Sequence, residues 1–258
     1  MQLSDIVHLD SFPIEDPSFI KQCKQQLDDN GALVLSDFLS EAAIQQIVKE
    51  GLENQHLAFY SSKQHNVYLK PADPAYSDDH SRNRQITSSK GCITDDQIPQ
   101  GSPLKTLYDA APFRSFLAAI FNEEKLYNYA DNLSSVNLHY AKEGQELGWH
   151  FDESSFAITI LIQSPEAGGT FEYIENMRDA DQGEMNYEGV EKVLNNELAV
   201  KTLAAQAGTL TLFRGRNAIH RVTPTEGDTT RILTVLAYNS KPNVALSESA
   251  RMTFYGRI

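Results

Sequence analysis

At 258 residues, with 41% hydrophobic and 22% charged side chains, the chain has an ordinary globular composition and enough length for one domain with a substantial core. A net charge of −13 argues against a nucleic-acid partner, which needs clustered Lys and Arg, and fits either an acidic solubilising surface or a cationic small substrate. No segment approaches the ~20 apolar residues of a membrane span, the opening MQLSDIVHLDSFPIEDP has neither the basic head nor the apolar run of a secretory leader, and Cys23 and Cys92 make no disulfide framework, so a cytoplasmic setting is expected.

The stretch 16–30 carries Phe19, Ile20, Cys23 and Leu27 at helical spacing, with Asp16 to cap it, Pro17 in its first turn and Gly31 to end it. ALVLSDF reads as a short strand. Ser40 then caps a second helix, SEAAIQQIVKEGL, with Glu41 in its first turn. AFYSSKQHNVYL alternates loosely and reads as a strand. From Pro71 to Pro103 the chain is polar and turn-rich, apart from strand character around RQITSS; a stretch this long points to function. SPLKTLYDAAPFRSFLAAIF reads as two helical pieces broken before Pro112.

After Leu126 strands dominate: SSVNLHYAKEG, FAITILIQS, GTFEYI, GTLTLFRG, HRVTPTEG and RILTVLAYN, separated by glycines. Short strands with glycine turns at this spacing indicate an antiparallel sandwich or barrel. One insertion, Glu175 to Asn196, interrupts them with the helix-like YEGVEKVLNN. The expected fold is α+β and mainly β. A helix-rich part, 1–125, packs on a β core, 126–258, within a single domain.

In GWHFD, His150 and Asp152 are one residue apart, so on an extended chain both point to one face. His-x-Asp also arises by chance, and His8-Leu9-Asp10 is such a case: it lies outside the β core and has no distal His and Arg at matching spacing. His150-Phe151-Asp152 does have them. His220 sits at a later strand, and Arg231 opens the apolar strand RILTVLAY, where a guanidinium needs a fixed anionic partner. Two imidazoles and one carboxylate form the facial triad that binds Fe(II) and leaves open positions for a chelating 2-oxo acid and O2. An Arg at the pocket floor pairs bidentately with the far carboxylate of that acid.

On these residues, and on GWHFDESSFAITILIQSPEAGGTFEYI, NYEGVEKVL, GTLTLFRGRNAIHRVTPTEGDTTRILTVLAY and FYGR, the chain resembles the Fe(II)/2-oxoglutarate-dependent oxygenases. Within them it is similar to the stand-alone radical halogenases and hydroxylases of free amino acids such as lysine. The resemblance implies a double-stranded β-helix, or jelly roll, as the core. It implies iron held by His150, Asp152 and His220, 2-oxoglutarate held by Arg231, and O2 as co-substrate. Halogenases of this family have Gly or Ala at the Asp152 position, which opens a site for chloride. The carboxylate here therefore implies hydroxylation of a free amino acid or close derivative, with release of succinate and CO2.

Four residues are candidates for reading the substrate. Glu153 follows the triad carboxylate and corresponds to the acid that faces the side-chain amine in lysine-acting relatives; otherwise it is a solvated turn residue. Arg84, with Arg82 beside it, lies in the region whose arginine binds the amino acid's carboxylate in similar enzymes. Asn137 and His139 alternate onto one face of SSVNLHYA, which is either the solvent face or a pocket wall. Val235 and Ala237 share the face of Arg231 where lysine-acting relatives carry polar side chains, which argues against lysine itself. The insertion reads as a lid that excludes water or as a surface excursion. The alternative functions are a non-catalytic jelly-roll ligand-binding protein, and an oxygenase acting on a protein side chain or another small metabolite.

Overall fold

The computed structural model describes residues 1–258. A short helix, Leu3–Ile6 (α1), precedes Pro17–Asn30 (α2), whose first turn is capped by the Asp16 carboxylate, which accepts from the amides of Ser18 and Phe19. Gly31 ends α2 at φ 66°, a left-handed conformation that glycine adopts without a Cβ penalty. Next come Ala32–Leu35 (β1), the Ser40-capped helix Glu41–Asn54 (α3), Phe59–His65 (β2) and Ile86–Ile93 (β3). Pro103–Asp109 (α4) and Ala111–Phe121 (α5) are separate helices, broken at Ala110.

The strands after residue 126 are Tyr127–Asn128 (β4), Val136–Ala141 (β5), Leu147–His150 (β6), Ala157–Gln163 (β7), Ala167–Gly168 (β8) and Phe171–Ile174 (β9). The insertion forms Tyr187–Leu194 (α6). Then follow Lys201–Leu203 (β10), Leu210–Phe213 (β11), Ile219–Val222 (β12), Thr225–Glu226 (β13), Arg231–Leu236 (β14), Tyr238–Asn239 (β15) and a terminal helix, Glu248–Tyr255 (α7).

Ten strands form one antiparallel path, β1-β11-β7-β14-β5-β3-β6-β12-β9-β10, with β2 attached to β3. The path curls into a nearly closed, jelly-roll-like barrel. The link between its two walls is β3, which pairs with β5 at one end and with β6 at the other. Three strands from the helix-rich part, β1, β2 and β3, thus join the same sheet. No helix is long and apolar enough to cross a membrane.

The alternation of β5, β7 and β14 decides what the barrel holds. Val136, Leu138, Tyr140, Ile158, Ile160, Ile162, Ile232 and Leu236 are buried against α2–α5, in a cluster that also contains Phe38, Phe113 and Phe116. Truncating one of these side chains to alanine costs about 2–5 kcal/mol. The opposite face of the same strands carries Asn137, His139, Thr159, Arg231 and Val235, and lines the barrel interior. The Asn137–His139 face is thus the interior side of the sheet and not its solvent side. On it Asn137 is buried and accepts from Tyr255 of α7, and His139 lies beside Lys90 of β3.

Candidate functional site

β6 and β12 are neighbours, and their register sets His150 directly opposite His220. The ring centroids are 4.1 Å apart. Each imidazole is oriented by its own strand: Nδ1 of His150 donates to the carbonyl of Gly148 at 2.9 Å, and Nδ1 of His220 to that of Ala218 at 3.0 Å. With Nδ1 so engaged, Nε2 is the atom each ring turns toward the centre. Both Nε2 atoms face one carboxylate oxygen, Oδ1 of Asp152, at 3.7 Å from His150 and 3.5 Å from His220.

Asp152 lies just past the end of β6, so strand alternation alone does not place it. Its amide donates to the carbonyl of Gly215 at 3.1 Å, and the amide of Phe151 donates to the carbonyl of Val67 at 2.9 Å. Arg178 adds a third support: its guanidinium sits 4.1 Å over the Phe151 ring and donates to the carbonyl of Arg216 at 2.8 Å. The residues around Arg178 belong to the insertion. Its Met177, Val190 and Val193 pack on Trp149, Phe151 and Ile219, so the insertion buttresses the two histidine strands from outside the barrel.

Burial, reinforced by the neighbouring His220, pushes the His150 pKa down to about 3, so its imidazole is neutral and able to ligate. Burial raises the Asp152 carboxyl, but the neighbouring His220, by charge and by hydrogen bonding, outweighs it and holds the group below the usual carboxylate range. The three donor atoms lie within 4.8 Å of one another, and Oδ2 of Asp152 is buried with no hydrogen-bond partner. Two imidazoles and a carboxylate with an unpartnered oxygen, converging within one small volume, fit a divalent iron ion.

Arg231 opens β14, opposite Ala141 of β5. Its Nε is buried without a partner, and burial alone brings its pKa down to about 10. A buried guanidinium with an unpaired Nε suits a carboxylate partner that can accept bidentately.

Two glycines that local sequence reading treats as simple turns shape this centre. A Cβ on Gly215 would lie 1.9 Å from Oδ2 of Asp152 and 2.9 Å from Cε1 of His220. Gly169, at φ 60°, would place a Cβ 2.8 Å from Cδ of Arg231 and 3.0 Å from Cγ of Pro165. Only the folded contacts reveal either requirement. Gly215→Ala is therefore expected to weaken iron binding by about ten- to a hundredfold while the far-ultraviolet circular dichroism stays native. Unchanged iron affinity in that variant would contradict this placement of Asp152.

The candidate substrate readers separate. Glu153 is not in the barrel: its side chain is 65% exposed and ion-paired with Lys70. The chain turns after Asp152, and adjacency in sequence did not carry Glu153 inward. Arg84 is likewise directed away, donating to Oδ1 of Asn195 at 2.7 Å and to the carbonyl of Leu194 at the end of α6. Arg82 donates to the carbonyl of Pro71. Asn137 does face the interior, but its amide is engaged: Nδ2 donates to the carbonyls of Leu133 and Val136, and Oδ1 accepts from Tyr255 of α7. His139 lines the wall beside Lys90, a residue that sequence reading did not single out. The decoy His8 lies apart from the triad and bonds the carbonyl of Asp37.

The fold is that of the 2OG-Fe(II) oxygenases. A 2OG-Fe(II) oxygenase-family oxidoreductase from Burkholderia pseudomallei is 14% identical over 88% of this chain and 92% of its own, with a TM-score of 0.55. A prolyl hydroxylase from Trichoplax adhaerens, solved with a hypoxia inducible factor peptide, is 13% identical over 88% and 91%, at 0.58. The epimerase SnoN, solved with Fe3+, alpha ketoglutarate and nogalamycin RO, is 13% identical over 86% and 84%, at 0.56. None of the curated protein sequences matches the chain. The family model for halogenase D matches residues 15–253, and the chain belongs to that family.

Proposed function

We propose that this member of the halogenase D family is an iron- and 2-oxoglutarate-dependent hydroxylase of a free amino acid or close derivative. The observation that carries the reading is the pairing of an intact His150–Asp152–His220 triad with an unpartnered Arg231 on the same barrel interior. His150, Asp152 and His220 would hold the iron, and Arg231 the far carboxylate of 2-oxoglutarate. Iron bound there supplies the oxidising chemistry, in which one oxygen atom of O2 enters the substrate and the other enters succinate as CO2 leaves.

The protein's part is orientation and exclusion. The two backbone carbonyls fix the imidazoles, and the amide of Asp152 ties its strand to Gly215. Aromatic rings, Phe171 stacked at 5.5 Å and Phe213 edge-on at 4.9 Å from His220, wall the centre from water. The Asp152 carboxylate supports hydroxylation over halogenation. It occupies the position that related halogenases leave to chloride through Gly or Ala.

The test is succinate formation by the purified protein with Fe(II), ascorbate, O2 and 2-oxoglutarate, with each free amino acid added separately and every mixture read by mass spectrometry. The expected result is one amino acid that raises succinate and gains one oxygen atom. Succinate stimulated only by a peptide or protein would overturn the free-amino-acid assignment.

A further inference from the structure

Besides Arg231, the barrel interior holds a second cation for which the proposed reaction has no use so far. Across β3 and β5, Cys92 pairs with His139, and Lys90 lies two residues from Cys92 on the same face. Across β5 and β14, His139 pairs with Leu233, two residues from Arg231 on the same face. Lys90, His139 and Arg231 therefore share one interior wall. Nζ of Lys90 donates to Nδ1 of His139 at 3.2 Å.

No salt bridge of the chain includes Lys90; burial lowers its pKa, and Cys92 and then Asp152 act against that shift. Cys92 is not a counter-ion, because burial pushes its thiol up to about 11 and leaves it neutral. The His139 imidazole feels both cations, whereas burial alone shifts Arg231. By strand register the two cations are separate positions, with His139 of β5 between them.

Counting charge gives the consequence. A ferrous ion and a 2-oxoglutarate dianion cancel, and Asp152 offsets one of the two protein cations. One positive charge remains, and an interior lysine with no anion is costly. Apart from Asp152, which would serve the metal, none of the residues named on this interior wall brings a carboxylate to face an amine. Glu153 is outside, Oδ1 of Asn137 is taken by Tyr255, and Leu161, Leu233 and Val235 are apolar.

We propose that Lys90 binds the carboxylate of the primary substrate, at a position distinct from Arg231, and that this substrate carries no side-chain ammonium. The proposal rests on the hydroxylase reading above and names the substrate class of that site: amino acids with an uncharged side chain.

Calorimetry on the iron-loaded protein, without O2 and with saturating 2-oxoglutarate, tests it. The probes are the standard free amino acids and their carboxamides. At least one amino acid with an uncharged side chain is expected to bind, and its carboxamide to bind about ten- to a hundredfold more weakly. Lys90→Gln is expected to lose that discrimination and to bind 2-oxoglutarate as the parent does, while Lys90→Arg retains it. Should the glutamine variant fail to fold, the acid-against-carboxamide comparison on the parent protein still decides.

Equal binding of acid and amide, or tightest binding of lysine, overturns the proposal. So does a Lys90→Gln variant that loses 2-oxoglutarate affinity instead, which would assign Lys90 to the co-substrate's carboxylate. Failure of any amino acid to bind while 2-oxoglutarate does bind defeats the Lys90 proposal alone. Failure of 2-oxoglutarate itself defeats the oxygenase reading, and this proposal with it.

Discussion

His220→Ala protein is expected to lose iron binding by at least about a hundredfold, and with it all coupling of 2-oxoglutarate consumption to substrate oxidation. The imidazole supplies one of only three protein donors, and its Nε2 has no role other than facing Oδ1 of Asp152 at 3.5 Å. Loss of groups that merely orient a ligand costs about ten- to a hundredfold in metal affinity, so loss of the ligand itself costs more. His220 also stacks on Phe171 and meets Phe213 edge-on, so a thermal melt must accompany the iron titration to separate a lost ligand from a loosened core. The matching Asp152→Ala experiment belongs in chloride-free buffer, because related halogenases have Gly or Ala there beside a halide. Iron affinity unchanged in a folded His220→Ala protein would remove the triad from the account.

Arg231→Ala is expected to weaken 2-oxoglutarate by on the order of a hundredfold while iron binding stays close to that of the parent. The guanidinium stands on β14, away from the imidazole strands, so removing it leaves the three metal donors in place. Truncating one side of an interior, charge-assisted pair costs about 2–5 kcal/mol. Here the other side of the pair is the ligand, so the whole penalty appears in its affinity. Titrating 2-oxoglutarate into the iron-loaded variant by calorimetry checks this. Gly169→Ala is the milder form of the same experiment, since the added Cβ would crowd Cδ of Arg231 at 2.8 Å and strain a backbone at φ 60°.

Much of this architecture is written locally. Asp16, Ser40 and Gly31 mark helix ends through their own side chains or lack of one, and those ends fall where the sequence puts them. The strands after residue 126 follow from period-two alternation and glycine turns. His150, His220 and Arg231 stand out because polar groups in strand-like surroundings demand a partner.

What sequence periodicity missed depends on closure of the barrel. Asn137 and His139 read equally well as a solvent face until β3 and α7 cover them. Lys90 sits in a long polar stretch where one more lysine carries no signal, and it matters only because β3 bridges the two walls. Glu153 and Arg84 were candidates through adjacency and alignment with relatives, yet a turn after Asp152 and the end of α6 engage them elsewhere. Asp152 itself is fixed beyond its strand by the carbonyl of Gly215, a contact no local pattern encodes.

The most direct measurement is an anaerobic titration of Fe(II) and 2-oxoglutarate into the parent protein, His220→Ala and Arg231→Ala, read by visible absorption. The account predicts an iron-to-2-oxoglutarate charge-transfer band in the parent, none in His220→Ala, and in Arg231→Ala a band that needs far more 2-oxoglutarate. No band in the parent protein, or one that both substitutions leave untouched, would contradict it.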